Sequence, residues 1–418
     1  MTEKRCFDNG LRLVLAPGSG LRSVATGIWT LGGSRYETLE EAGAAHFIEH
    51  MFFKGTARRA PYQIALETNT LGSQINAFTA QEAVCVYGRV IDEKIEHAVD
   101  LLCDLVANST FAPEELDRER NVILEEVMMY EDTPDERVSD LFAETLWEGH
   151  ALGRPVLGNE ETLRRMDAAA LRRFQKRCFG ADRTIVAVAG SFDPDRVDGL
   201  IRERLGGLQS AEALVAGPSP AAVAGARYIE RDLEQTHFCC GTPGPCRSSD
   251  ERYSLAVLNL ILGGGMSSRL FQEAREKRGL AYAIGSYANG FHDTGYIAIS
   301  GGATPESLEE LLDVCWRETR RIYTDDVTQD ELRNAKDMMR ASLLLSLENT
   351  SASMTRIAEQ EIYLGRFVPV EEMLAEVEKV TVASVRACAE RYLKGQPVAS
   401  AFIGPAVAKA ATLGRERF

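Results

Sequence analysis

Long apolar runs are missing from this sequence. Nothing in its 418 residues approaches the ~18 needed to cross a bilayer, and the strongest stretch, Leu255 to Leu262, ends at three glycines. No membrane span is expected. Cysteines are few, scattered and odd in number: the nine include no Cys-x-x-Cys pair, which argues against a disulfide framework or a cysteine zinc site and suits a reducing compartment. The N-terminal MTEKRCFDNGLRLVLAP has no apolar core ending in a small-residue cleavage site, so the expected location is cytoplasmic. Basic residues are in deficit, 47 Lys and Arg against 62 Asp and Glu, for a net charge of −15. An acidic balance spread over the whole chain argues against nucleic acid or an anionic membrane as partner, because phosphate binding needs a basic face, and suits a cationic partner better. Histidine is scarce as well, with six in all.

What is present is ordinary globular composition, 45% apolar and 26% charged, in a length that suits two to four domains. Residues 209–226, QSAEALVAGPSPAAVAGA, are rich in Ala, Pro and Gly and lack helical or strand periodicity, so they read as a linker between domains at 1–208 and 227–418. The two halves share a pattern. Strand-like runs at Leu11–Ala16, Ser23–Leu31, Ser73–Ala80, Val84–Val90 and Thr184–Gly190 match runs at Arg227–Arg231, Thr236–Thr242, Ala281–Asn289, Gly295–Gly301 and Val398–Ile403. Helical periodicity covers 92–108, 113–131 and 161–177 in the first half, and 305–323, 328–347 and 381–393 in the second. The fold class read from this is α+β, two tandem similar domains, each a mainly antiparallel sheet packed with helices.

Chemistry concentrates at residues 43–55, GAAHFIEHMFFKG. On a helix, His46 and His50 stack four apart on one face and can share one ion, and Glu49, three after His46, lies on that face within reach of a bound water. Zinc at a catalytic site takes three protein ligands, so a third is needed. Helix 113–131 offers Glu119 and Glu126, seven apart on one face, beside an apolar stripe of Leu116, Ile123, Val127 and Tyr130. Two such carboxylates allow one ligand and one acceptor for a histidine N–H. His97, His150, His237 and His292 have no partner at ligand spacing and are assigned no role. The acidic group Glu131, Asp132, Asp135 and Glu136 reads as a solvated helix end.

His46-Phe-Ile-Glu49-His50, with Glu126 following 76 positions after His50, resembles the signature of the pitrilysin/insulinase family of inverzincin metallopeptidases. GAAHFIEHMFFKGT and ERNVILEEV are similar to its processing-peptidase branch, and the likeness runs from about residue 8 to residue 404. The resemblance implies Zn2+ held by His46, His50 and Glu126, Glu49 as general base, Glu119 as supporting acid, and a chain forming one half of a clamshell. Asn76, Ala77 and Phe78 resemble the edge strand that holds substrate, which is physically apt because a free sheet edge pairs with any extended peptide. Gly263, Gly264 and Gly265 look like the family's glycine-rich loop; no Gly-Lys-Ser/Thr follows, so this is no phosphate loop. Arg275 and Tyr282 are similar to the family's Arg and Tyr that reach the scissile region, and both are suitable oxyanion donors.

The implied activity is a zinc metalloendopeptidase acting on short, unfolded, basic peptides or presequence-like segments inside a dimeric chamber. Larger family members with four such domains close two halves around a chamber, so a chain with two implies a homodimer or a heterodimer with a homologous subunit. The rival expectations are a non-catalytic scaffold of the same fold, or a partner subunit of a heteromeric processing peptidase.

Overall fold

The computed structural model describes residues 2–18, 20–72, 75–212, 217–405 and 407. In chain order the first half holds strands β1 (Glu3–Cys6), β2 (Arg12–Pro17), β3 (Ser23–Thr30), β4 (Asn76–Thr79), β5 (Val84–Ile91) and β6 (Thr184–Gly190). Its helices are α1 (Ala44–Phe52), α2 (Pro61–Thr70), α3 (Ile95–Asn108), α4 (Pro113–Glu131), α5 (Pro134–Leu146), α6 (Glu160–Arg165), α7 (Ala168–Cys178) and α8 (Pro194–Leu205). The second half holds β7 (Gly225–Glu230), β8 (Thr236–Gly244), β9 (Ile284–Gly290), β10 (Gly295–Ala303) and β11 (Ala399–Gly404). With them come α9 (Arg252–Leu262), α10 (Pro305–Thr324), α11 (Gln329–Ser346), α12 (Thr350–Leu364), α13 (Val370–Lys379) and α14 (Val382–Tyr392).

The class is α+β, built twice. One sheet has the order β1-β2-β6-β3-β5-β4 and the other β7-β11-β8-β10-β9. Leaving out β1, the orders correspond strand for strand, and in both sheets one pair is parallel (β2 with β6, β7 with β11) while the rest are antiparallel. The central strands are buried on both faces, which is why SVATGIWT and TIVAVAG read as near-continuous apolar runs. Alternate residues serve two cores. Leu13, Leu15, Val24, Ile28 and Val188 face one, whereas Val14, Ala25, Trp29, Ile185 and Ala187 face the other.

The cover of that second face comes from far along the chain. Met354, Ile357 and Ala358 of α12 close it. The other sheet repeats the arrangement with α5, whose Val138, Leu141 and Phe142 pack with Cys239, Ala298, Ala399, Ala401 and Ile403. Two compact units result: residues 1–128, 154–217 and 344–367 in one, and 129–153, 218–343 and 368–418 in the other.

Some details depart from the sequence reading. The helix expected over 161–177 is two helices, because Asp167 accepts the Ala170 N–H and starts α7 afresh. Residues 92–94 form a 3-10 turn ahead of α3. Strand β1 and helices α2, α5, α8, α9, α12 and α13 were not anticipated. Ser73 and Gln74 of the expected strand Ser73–Ala80, and residues 213–216 of the expected linker, lie outside the described residues. Of the acidic group, Asp132, Asp135 and Glu136 are exposed as expected, while Glu131 is partly exposed and pairs with Arg137 at 2.7 Å and Arg231 at 3.4 Å.

Candidate metal centre

Helix α1 has a built entry. Gly43 takes φ +93°, and a Cβ there would lie 2.9 Å from the Leu157 carbonyl oxygen, so only glycine is accommodated. The carboxylate of Glu37 then accepts the N–H of Gly43 at 3.0 Å and of Ala45 at 2.8 Å, satisfying two donors of the first turn. Burial pushes the Glu37 carboxyl up to about 8, and those two backbone hydrogen bonds oppose the rise.

The turn after this entry presents His46 and His50 with ring centroids 4.6 Å apart, edge to face. Glu126 of α4 faces both, its Oε1 3.9 Å from His46 Nε2 and its Oε2 3.3 Å from His50 Nε2. One ligand atom from each of the three lies within 4.8 Å of the other two, and no other such group of His, Cys, Asp or Glu occurs among the described residues. Glu119, one of the two carboxylates that spacing alone could not tell apart, sits differently. Its Oε1 is 2.8 Å from His50 Nδ1, and its Oε2 accepts Lys54 Nζ at 2.6 Å.

The protonation chemistry follows from this environment. Burial, and then the charge on His50, push His46 down to about 4, so its imidazole is neutral with a lone pair to give. Burial opposes charge on His50, but Glu119 and Glu126 outweigh it and push it up to about 9. Glu126 is held below the usual carboxylate range, first by its hydrogen bond from His50. Tetrahedral zinc at 2.0–2.1 Å from each ligand would need donor atoms about 3.3 Å apart. Glu126 and His50 stand at 3.3 Å and Glu126 and His46 at 3.9 Å, so a small inward shift would suffice, and two imidazole nitrogens with one carboxylate are donors zinc accepts. Among the described residues His46 Nδ1 is buried without a hydrogen-bond partner, so only its Nε2 side faces a charged group, Glu126.

Glu49 is half-buried on α1, and its Oε2 accepts the Thr79 hydroxyl at 2.6 Å. Burial raises its pKa and that hydrogen bond lowers it. Thr79 ends β4, the last strand of its sheet, where Asn76 is exposed, Ala77 is buried, and Phe78 packs edge-on against Trp29 at 5.3 Å.

The remaining expected residues belong to the other compact unit. Gly263 and Gly264 each donate their N–H to Asn259 at 2.9 Å, and Gly263 accepts the Ser286 N–H at 3.3 Å, which ties the glycine turn after α9 to β9. A Cβ on Gly265 would meet the Met338 methyl group at 3.1 Å. Arg275, in a π-helical turn at residues 271–276, lies over the rings of Phe271 at 4.7 Å and Tyr282 at 4.8 Å, and Tyr282 is 79% exposed.

Sequence reasoning assigned no role to Glu37 or Lys54, and placed Thr79 on the edge strand without a role for its hydroxyl. Only Thr79 carried a signal, since strand alternation sets it on the face of Ala77, two residues before it.

Residues 13–160 match the description "Insulinase (Peptidase family M16)", and residues 165–339 match "Peptidase M16 inactive domain". An uncharacterized zinc protease of Streptomyces coelicolor is 40% identical over 407 residues, 96% of this chain and 88% of that protein. One of Bacillus subtilis is 38% identical over 406 residues, covering 97% and 98%. The chain belongs to peptidase family M16. The fold of this M16 chain also resembles the crystal structure of a peptidase M16 inactive domain from Pseudomonas fluorescens, with a TM-score of 0.90 and 21% identity over 97% of this chain and 98% of that one. A protease from Helicobacter pylori gives a TM-score of 0.89 at 20% identity, covering 97% and 99%. The insulinase match contains His46, Glu49, His50, Glu119 and Glu126, and the inactive-domain match contains the glycine turn, Arg275 and Tyr282.

Glu119→Gln is expected to weaken zinc retention about 10- to 100-fold, since outer partners of a ligating histidine typically contribute that much. Competition with a chelator measures it, and unchanged retention would show that His50 needs no acceptor behind it.

Proposed function

We propose that the chain is a zinc-dependent metalloendopeptidase, with His46, His50 and Glu126 as the ligands. The reading is carried by one observation: the three donors converge while Glu119 takes the opposite nitrogen of His50. When bound, zinc acts as a Lewis acid that lowers the pKa of a water towards ~7 and polarises the peptide carbonyl. The chain's own residues do the rest. Glu119 accepts the Nδ1–H of His50, which fixes the tautomer whose Nε2 lone pair points at the ion. Glu49 takes a proton from the attacking water as its oxygen bonds to the carbonyl carbon, then delivers it to the amine nitrogen as the C–N bond breaks. The open edge of β4, with Asn76, Ala77 and Phe78, pairs with the extended substrate. The turn at Gly263, Gly264 and Gly265 makes a further substrate contact, and Arg275 and Tyr282 donate to the developing oxyanion.

The substrates are short unfolded peptides, basic ones preferred, because the chain carries a net charge of −15. The working unit is a dimer of homologous subunits, identical or not, in which Arg275 and Tyr282 of one chain serve the ligands of the other. The site is intracellular in this reading, consistent with free cysteines throughout; among the described residues no helix is long and apolar enough to cross a membrane. A second reading, a non-catalytic scaffold or partner subunit, is favoured by the inactive-domain match over residues 165–339. Zinc analysis and a panel of internally quenched decapeptides of graded charge separate the two. About one zinc per chain with cleavage, faster for basic members and weakened by salt, is expected. A metal-free, inactive protein would leave the scaffold reading, and equal cleavage of acidic and basic members at low salt would remove charge from recognition.

A further inference from the structure

The group that holds Glu49 is part of the strand proposed to hold the peptide. Thr79 Oγ1 has one proton, and it is given to Glu49 Oε2 at 2.6 Å. Among the described residues Glu49 Oε1 accepts no hydrogen bond, so one oxygen is tied and the other is left for a substrate proton. The strand fixes the donor. Thr79 is β-branched and stiff at χ1, and its backbone is set by pairing with Val84 of β5.

The open edge runs through the same residue. Ala80 donates its N–H to Ala83 O at 2.8 Å, closing the hairpin, and in an antiparallel pair such bonded positions alternate with unbonded ones. Counting back, Phe78 and Asn76 direct their backbone groups at β5, while Thr79 and Ala77 direct theirs away from it. The Ala77 N–H bears this out, since its partner is the Asn76 side-chain oxygen at 2.9 Å rather than β5. Thr79 therefore presents backbone groups to the free edge and a hydroxyl to Glu49.

We propose that Thr79 is a positioning residue which aims the carboxylate of Glu49 and ties that aim to the strand on which the peptide docks. The inference rests on the peptidase reading above and deepens it. A peptide pairing along the edge fixes the Thr79 backbone, the backbone fixes the hydroxyl, and the hydroxyl leaves Oε1 as the free oxygen. Thr79 itself gains and loses no proton.

The test uses the zinc-loaded full chain and, as probe, the fastest-cleaved member of the decapeptide panel. Thr79→Val keeps the branched shape and removes the hydroxyl; kcat should fall about 10- to 100-fold, the range for losing a hydrogen bond to a charged group, with KM within about twofold. Zinc content and melting temperature should stay as in the unsubstituted protein. Thr79→Ser returns the hydroxyl and should recover most of kcat, which a role in packing alone would not produce. The inference is overturned if Thr79→Val matches the unsubstituted protein, if its loss lies in KM, or if serine fails to rescue. An unsubstituted, zinc-loaded protein that cleaves no panel member overturns the peptidase reading instead, and this inference with it.

Discussion

Glu49→Gln should hold about one zinc per chain and cleave peptides about 10²- to 10⁴-fold more slowly, the usual contribution of general acid–base catalysis. The substitution keeps the shape of the side chain and leaves Thr79 an oxygen to donate to, so packing between α1 and β4 is retained. What disappears is the basic oxygen. Glu49 stands outside the group formed by His46, His50 and Glu126, so losing its charge removes none of the three proposed ligands. Metal analysis beside a quenched-peptide assay separates the two effects, and full activity in the variant would remove Glu49 as the base. His50→Ala should give the opposite pattern, losing the metal together with activity.

Zinc affinity should climb steeply with pH. Glu119 and Glu126 hold the His50 pKa at about 9 in the metal-free protein, so at neutral pH its imidazole carries a proton that a metal ion must displace. His46, at about 4, is already deprotonated and adds no slope in this range. One displaced proton means about a tenfold gain in apparent affinity per pH unit, hence about 10³-fold between pH 6 and pH 9, levelling above it. Chelator competition across that range measures the slope, and unbuffered calorimetry the proton released. A flat profile would show that His50 is already neutral. The same shift works the other way on metal-free folding. A histidine whose folded pKa lies above its unfolded value of about 6.5 stabilises the fold fully below that pH, and the contribution is lost as pH rises through 9.

Legibility in the sequence followed the range over which each feature is decided. His46 and His50 could be paired because helical spacing is local, and β6 could be bounded at Thr184–Gly190 because a strand buried on both faces is apolar throughout. Glu119 and Glu126 share a helix face, so their separate positions depend on how α4 lies against α1, which spacing does not encode. Thr79 meets Glu49 from 30 residues away; strand alternation gives the face its side chain takes, but not that Glu49 stands there. Helix α5 was hidden differently. Its opening Pro-Asp-Glu follows an acidic run that reads as solvated, although Val138, Leu141, Phe142 and Leu146 keep helical spacing and are buried. The sheet that those four residues cover is assembled from strands up to β11, far beyond the helix itself.

The exchange of α5 and α12 between the two sheets also imposes an order in time on the chain as it leaves a ribosome. Once β6 has emerged, the six strands of the first sheet can pair, but the face bearing Val14, Ala25, Trp29, Ile185 and Ala187 stays bare until Met354, Ile357 and Ala358 arrive. At a synthesis rate of about 5–20 residues per second, that wait is roughly 10–30 s. Helix α5 waits longer still, made early with an apolar side whose partner strand β11 is nearly the last element translated. Neither half can finish as an independent nascent domain, and the segment at 209–226, which looks like the natural place to cut the protein in two, would release two sheets each missing its cover.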